Sequence, residues 1–393
     1  MNGLIPKSSA LLLIIRRLRM EPMYVKDYGL VLGSFSPMHT GHLDLIMAAK
    51  KLGRKGAIIA VCGLDGDRGT RVGLPIEKRY QIIKEMFQGD PLVHVIMMKD
   101  NDIGIAGYND KWKEWLEALS KAMVSNIYGA DRVNKRMCKA MLNQTTLFTG
   151  EPTYKDAVNA LNMGPNVYLL SRDLNTISAT KIRKHPMTYW NEIIGDAYKS
   201  AFAKRILIIG TASEGKSTLT KDLARYFDAD YSEEYGHEVI AEKTTVTENP
   251  DDTQLTFDDY MSFLDVQYDN NSVCTKKLKL CDSDAMTTLM YAKYYSTDNR
   301  YLITEADYEK LERHARFLDY DVIFVMPPKK DSWVQDGCRD SLTNSFEDRK
   351  KQYQVLMKIL GQHYCTEDVV YLNDSYHENF IKARNKIKML LAD

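Results

Sequence analysis

Gly210, Gly215, Lys216 and Ser217 stand at the spacing Gly-x4-Gly-Lys-Ser, directly after the apolar run 206–209 and before a tract of helical periodicity. Those residue types in that order suit one chemistry, the holding of a polyphosphate. The glycines let the backbone curl so that successive N–H groups point inward, at the positive end of a helix dipole. Lys216 would reach the β- and γ-phosphates, and the Ser217 hydroxyl would sit on Mg²⁺. Ser213, Glu214 and Thr218 belong to the same cradle.

Upstream, two histidines stand in Gly33-x-Phe35-x-Pro37-x-His39-x-Gly41-His42. Imidazoles three residues apart at a helix start project to one side, near the positive end of the dipole. Such a pair can bind a metal, cap a core or donate N–H groups to a phosphate. No third ligand stands at metal spacing, and glycines at 33 and 41 suit close approach by something bound. Further on, the run 278–282 ends in Asp282-Ser283-Asp284, where one acid can organise Mg²⁺ while the other meets a sugar hydroxyl or accepts a proton. Arg339 lies in a polar loop after the apolar run 322–326. That loop is either a closing device over a transferring phosphoryl group or an ordinary exposed loop.

The elements that must position these groups follow from periodicity. Runs at 30–32, 57–62, 92–98, 125–128 and 167–170 read as strands, alternating with helices at 75–87 and 111–123. This is the pattern of a doubly wound α/β sheet, with both chemistry-bearing loops at the carboxyl ends of strands. A second such sheet is expected from strands at 206–209, 278–282, 322–326 and 369–372, with helices at 216–227 and 377–391. A chain of 393 residues exceeds one ordinary core, and four parts are expected. These are a leader or arm over 1–25, a first domain over 26–190, a helical connecting segment over 191–203 and a second domain over 204–393.

Lys plus Arg and Asp plus Glu both number 53, so no global field recruits nucleic acid or a membrane surface. Six cysteines without ligand or CxxC spacing suit free thiols in a reducing cytoplasm. The apolar stretch 11–15 is too short to span a bilayer, and its arginines follow it where a secretory signal places charge in front.

The histidine loop resembles the signature of the nucleotidylyltransferase superfamily, whose members transfer AMP or CMP from a nucleoside triphosphate. The resemblance implies that His39 and His42 contact the triphosphate and stabilise charge developing at its α-phosphate, with Gly33 and Phe35 in the same loop. Ile177-Ser178-Ala-Thr180-Lys181-Ile-Arg183 is similar to the ISxTxIR box that closes these domains. Ser178 is a good N-cap there, and the Thr180 hydroxyl and Arg183 fork are offered to phosphate oxygens. Arg68, Arg71 and Arg79 are further candidates for phosphate contact. Trp112 and Trp115 are three apart on a helix, a spacing that core packing also produces. The resemblance gives Trp112 the role of stacking on a pyridine ring.

With ISATKIR, GTASEGKST, EEYGHE, CDSDAMTT and WVQDGCRD in that order, residues 27 to 390 resemble the NadR family. Its members combine nicotinamide-nucleotide adenylyltransferase and ribosylnicotinamide kinase. The resemblance implies ATP as co-substrate of both steps and Mg²⁺ as cofactor, with ribosylnicotinamide, nicotinamide mononucleotide and NAD as the other small-molecule partners. In the second domain it implies Glu234 as base, with Asp282 or Asp284 as second choice. Glu234, Tyr235 and Asp284 would hold the riboside, Ser217 and Asp282 the metal, and Arg339 would neutralise charge. A cytoplasmic homo-oligomer is expected, not embedded in a membrane and without nucleic acid. Some 25 residues precede the first strand, too few for the helix-turn-helix of some family members. Three alternatives stay open: another phosphorylated acceptor such as phosphopantetheine, another nucleoside for the kinase, or a first domain that senses a nucleotide without catalysis.

Overall fold

The computed structural model describes residues 26–100, 111–161, 164–170, 176–334 and 345–392, so the leader 1–25 and Arg339 lie outside the described residues. The chain divides into two compact units between Ala201 and Phe202.

In the first unit, β1 (Tyr28–Gly33), β2 (Gly56–Gly63), β3 (Val93–Lys99), β4 (Thr145–Thr149) and β5 (Asn166–Leu169) form a parallel sheet in the order β3-β2-β1-β4-β5. β2 is buried from Gly56 to Cys62, as a parallel strand covered on both faces must be, and its sequence is accordingly an unbroken run of small and apolar residues. Strand order reverses between β1 and β4. The crevice at the carboxyl ends of these strands is therefore the topological switch point, where ligands bind in open α/β sheets.

The expected strand at 125–128 is instead the last turn of the helix Trp112–Tyr128. Its buried residues Trp115, Leu116, Leu119, Met123 and Val124 keep a helical stripe against Leu30, Ile58 and Ile96 of the sheet, and Gly129 closes it by donating to Ser125 O at 3.1 Å. The fourth strand is β4, whose threonines conceal it. The Thr145 hydroxyl donates to Met141 O at 2.7 Å and the Thr146 hydroxyl accepts from Lys26 N–H at 3.2 Å, so polar residues sit fully buried. Residues 191–201 of the expected connecting segment fall in the first unit, behind the histidine loop. Ile194 N–H donates to Met38 O at 3.1 Å, the Thr40 hydroxyl donates to Glu192, and Tyr198 is fully buried.

In the second unit, β6 (Lys204–Gly210), β7 (Asp230–Ser232), β8 (Leu278–Asp282), β9 (Val322–Met326) and β10 (Val369–Tyr371) form a second parallel sheet, ordered β10-β9-β6-β8-β7. β7 has only three residues and no alternating pattern of its own, so periodicity does not reveal it. Along β6 the side chains alternate between two cores. Ile206 and Ile208 pack with Leu219, Leu223 and Phe324 on one face, while Leu207 and Ile209 pack with Met286, Leu289 and Leu356 on the other. Among the described residues no helix is long and apolar enough to cross a membrane.

Candidate active sites

β1 delivers the chain into the histidine loop, and the helix Thr40–Leu52 begins at its end. The His39 and His42 rings stack at 3.8 Å between centroids. Phe35 is wholly buried beneath them, its ring 4.8 Å from that of His42, so it supports an imidazole and does not face a ligand. Burial first, and the neighbouring His39 second, hold the His42 pKa well below the usual imidazole range. His42 is therefore a neutral hydrogen-bonding group at physiological pH, and its Nδ1 is buried with no hydrogen-bond partner.

The loop is fixed by two guanidinium groups. Arg79, fully buried, pairs with Asp67 at 2.7 Å and donates to Ser34 O at 2.9 Å. Arg183 donates to Ser36 O and, at 3.0 Å, to the Thr180 hydroxyl. Arg79, expected among phosphate ligands, thus has its head committed to the loop. Arg68 and Arg71 stay exposed beside it.

These groups line a cleft of about 740 Å³ across the strand ends, which brings together Gly33, His39, His42, Arg68, Ser178, Thr180 and Arg183. Ser178 caps its short helix, accepting from Lys181 N–H at 3.2 Å. Sequence reading missed Ser36, whose buried hydroxyl has no hydrogen-bond partner in the wall of the cleft. Trp112 is a correction. It packs in the apolar core, edge-on to Trp115 at 5.9 Å and to Tyr154 at 5.1 Å, and Tyr154 rather than Trp112 reaches the cleft.

The depressed His42 pKa has a consequence for stability. The unfolded chain takes up a proton near pH 6.5 that the folded site refuses, so the unfolded state binds more protons below that pH. Stability is therefore full above about 6.5 and declines by at most ~1.4 kcal/mol per pH unit below it. Thermal unfolding between pH 7.5 and 5 is expected to show this slope, and His42→Asn is expected to flatten it.

In the second unit β6 runs into the phosphate loop. A Cβ at Gly210 would lie 2.3 Å from Met326 O, and Gly215 has φ +86°, so neither position accepts a side chain. Lys216 is buried and its Nζ donates to Thr211 O at 3.0 Å, while Ser217 and Thr218 are exposed at the helix start. Two expectations for this loop change. The Glu214 carboxylate turns inward to an ion pair with Arg349, both side chains 1% exposed, and also accepts from Ser332 Oγ at 3.0 Å and Lys329 N–H at 3.1 Å. Ser213 Oγ accepts from Val334 N–H at 3.1 Å. These side chains anchor the loop and leave its backbone N–H groups for an anion. Arg349→Met would strand a buried carboxylate, and a stability loss of roughly 3–5 kcal/mol is expected by denaturant unfolding.

Across the loop, burial raises the pKa of Asp282, with Glu234 adding to the rise and Lys216 opposing it. The Ser217 hydroxyl hydrogen-bonds the same carboxylate, whose Oδ1 otherwise has no partner. Asp284 caps the helix Ala285–Tyr295 by accepting from Met286 N–H at 3.0 Å, and its other oxygen is a buried orphan, as is the Thr287 hydroxyl. Lys216, Glu234, Asp284 and Thr287 line a cavity of about 140 Å³, walled by Tyr260, Phe263, Tyr291, Tyr295 and Tyr301. Tyr235, expected in this cavity, is packed edge-on to Phe263 at 6.2 Å, while its neighbours Gly236 and His237 line the cavity.

A buried amide network that no motif announces sets the acids against each other. Gln267 accepts from Tyr235 N–H at 2.8 Å and donates to Glu233 O at 3.2 Å and Asn271 at 3.0 Å, and Asn271 donates to Ser283 O at 3.0 Å. The turn carrying Glu234 and the turn carrying Asp282 and Asp284 are thereby joined through one helix, Phe257–Ser272.

Residues 30–185 match the family model described as cytidylyltransferase-like, and residues 205–378 match that of an AAA domain. The trifunctional NAD biosynthesis/regulator protein NadR of Escherichia coli (strain K12) is 25% identical, with 99% of this chain and 89% of that protein covered. The protein of the same name from Salmonella typhimurium (strain LT2) matches at 25% with the same coverage. Among solved structures, a NadR protein in complex with NR is 28% identical and superposes with a TM-score of 0.76, covering 94% of this chain and 98% of the other. A NadR protein in complex with NAD and AMP-PNP gives 27% and 0.73 with the same coverage. Over nearly its whole length, in both sequence and fold, the chain is similar to the NadR proteins.

Proposed function

We propose that the chain makes NAD in two steps at two separate sites. In the second unit, over 204–393, the 5′-hydroxyl of ribosylnicotinamide attacks the γ-phosphorus of ATP. The O–P bond to the new phosphate forms, the bond to the leaving ADP breaks, and the hydroxyl proton passes to Glu234. Lys216 and the backbone of the phosphate loop hold the β- and γ-phosphates, and Arg339 neutralises charge from outside the described residues. Asp284 and Thr287 offer their orphan oxygens to sugar hydroxyls. Ser217 and Asp282 are hard oxygen donors side by side and suit Mg²⁺, which when bound neutralises phosphate charge.

In the first unit, over 26–190, a phosphate oxygen of nicotinamide mononucleotide attacks the α-phosphorus of ATP and expels pyrophosphate. No proton need leave an already ionised phosphate, so the site works by positioning and charge stabilisation. His39, His42, Thr180 and Arg183 carry that work, with the neutral His42 imidazole donating an N–H group.

The observation that carries this reading is the meeting of a phosphate-loop lysine with two carboxylates in one aromatic cavity. Such a cavity suits a flat, cationic base on a sugar whose hydroxyl must lose a proton. Relatives solved with NR, and with NAD and AMP-PNP, support the same substrates. A panel tests it. The chain is expected to phosphorylate ribosylnicotinamide in preference to uridine and thymidine, and to release pyrophosphate with nicotinamide mononucleotide but not with phosphopantetheine. Preference for uridine, or ATP binding in the first unit without pyrophosphate release, would remove the corresponding half.

A further inference from the structure

Asp100 follows the carboxyl end of β3, where its N–H donates to Gly63 O at 3.0 Å, and it is 4% exposed in the wall of the first unit's cleft. Its Oδ1 accepts from the indole N–H of Trp115 at 3.2 Å, and Trp115 is fully buried. Among the described residues Asp100 has no ion-pair partner. The buried guanidinium of Arg79 is held by Asp67 and Ser34, and the Asp67 charge further opposes ionisation of Asp100, whose pKa burial already raises. A carboxylate buried without a cation is destabilising by several kcal/mol unless something bound compensates it.

No part of the proposed reaction uses this group, and a phosphate would be repelled by it. Its surroundings suit a cation instead. From Trp115 the aromatic contacts run through Trp112 to Tyr154, which lines the same cleft, and aromatic rings beside a carboxylate stabilise a positively charged ring.

We propose that Asp100 is the specificity-determining residue for the adenylyl acceptor, taking a hydrogen bond from the carboxamide N–H₂ of nicotinamide mononucleotide and excluding the nicotinate analogue. The cationic ring bound beside it favours the ionised form of Asp100, so a nicotinate carboxylate would meet a like charge, whereas the amide offers an N–H donor. This rests on the adenylyltransferase reading of the cleft. It adds a chemical reason for the chain to use the amide and not the acid.

The test is pyrophosphate release by the full chain with ATP and either nicotinamide mononucleotide or nicotinic acid mononucleotide, for wild type, Asp100→Asn and Asp100→Glu. Asparagine keeps the shape and the oxygen that accepts from Trp115, but not the charge. Wild type is expected to favour the amide. Asp100→Asn is expected to narrow that preference about tenfold or more in kcat/KM, through a higher KM for the amide and faster use of the acid, with KM for ATP unchanged. Asp100→Glu, which keeps the charge, is expected to retain the preference. An unchanged ratio with both acceptors slowed alike would show a structural role and overturn the inference, as would a raised KM for ATP with both acceptors. If wild type releases no pyrophosphate with either, the underlying reading of the cleft fails and takes this inference with it.

Discussion

Lys216→Ala is expected to lower phosphorylation of ribosylnicotinamide by about 10²–10³-fold in kcat while adenylylation of supplied nicotinamide mononucleotide continues at the wild-type rate. The Lys216 ammonium is buried, bonded to Thr211 O, and faces both the cavity and the Asp282 carboxylate. A group so placed needs no reorganisation to meet charge that develops between the β- and γ-phosphates, which is the condition under which electrostatic stabilisation is large. Alanine also leaves Asp282 without its opposing cation, so its pKa is expected to rise further and metal binding to weaken. Separate assays of ADP and pyrophosphate release check the split. Loss of both activities in a chain that still unfolds cooperatively would contradict the division between units.

His42→Ala is expected to give the converse, a loss of about 10²–10³-fold in adenylyl transfer with phosphorylation intact. The imidazole is neutral and stacked on His39 with an orphan Nδ1, so it contributes a directed dipole and not a fixed charge. His42→Asn, which returns an N–H donor, is expected to recover part of the rate. A positively charged replacement, His42→Lys, is not expected to do better, because the ammonium would have to be desolvated beside His39. If lysine rescues and asparagine does not, the site works by net charge and the account of the neutral imidazole is wrong.

Both glycine-bearing loops were legible in the sequence because they are local. Gly210 and Gly215 are demanded by backbone geometry within a few residues of Lys216, and the histidine loop follows β1 directly, so spacing alone carries the information. Trp112 was not legible, because two tryptophans three apart mark one face of a helix whichever way that face turns, and here it turns to the core. Tyr235 opens the helix Tyr235–Thr247, and no local pattern tells that its ring turns to Phe263 while Gly236 and His237 line the cavity. Glu214 illustrates a different limit. Its partner Arg349 lies 135 residues away, and no local pattern tells a loop carboxylate that faces phosphate from one that closes an ion pair behind the loop. β4 and β7 escaped because a run of threonines and a run of three residues carry no apolar alternation, and only pairing with β1, β5 and β8 makes them strands.

The most direct measurement is product analysis by mass after the full chain is incubated with ribosylnicotinamide, ATP and Mg²⁺ and nothing else. The account predicts NAD, with one ADP and one pyrophosphate formed per NAD and nicotinamide mononucleotide as the intermediate. Riboside recovered unchanged, or nicotinamide mononucleotide accumulating without pyrophosphate, would contradict it.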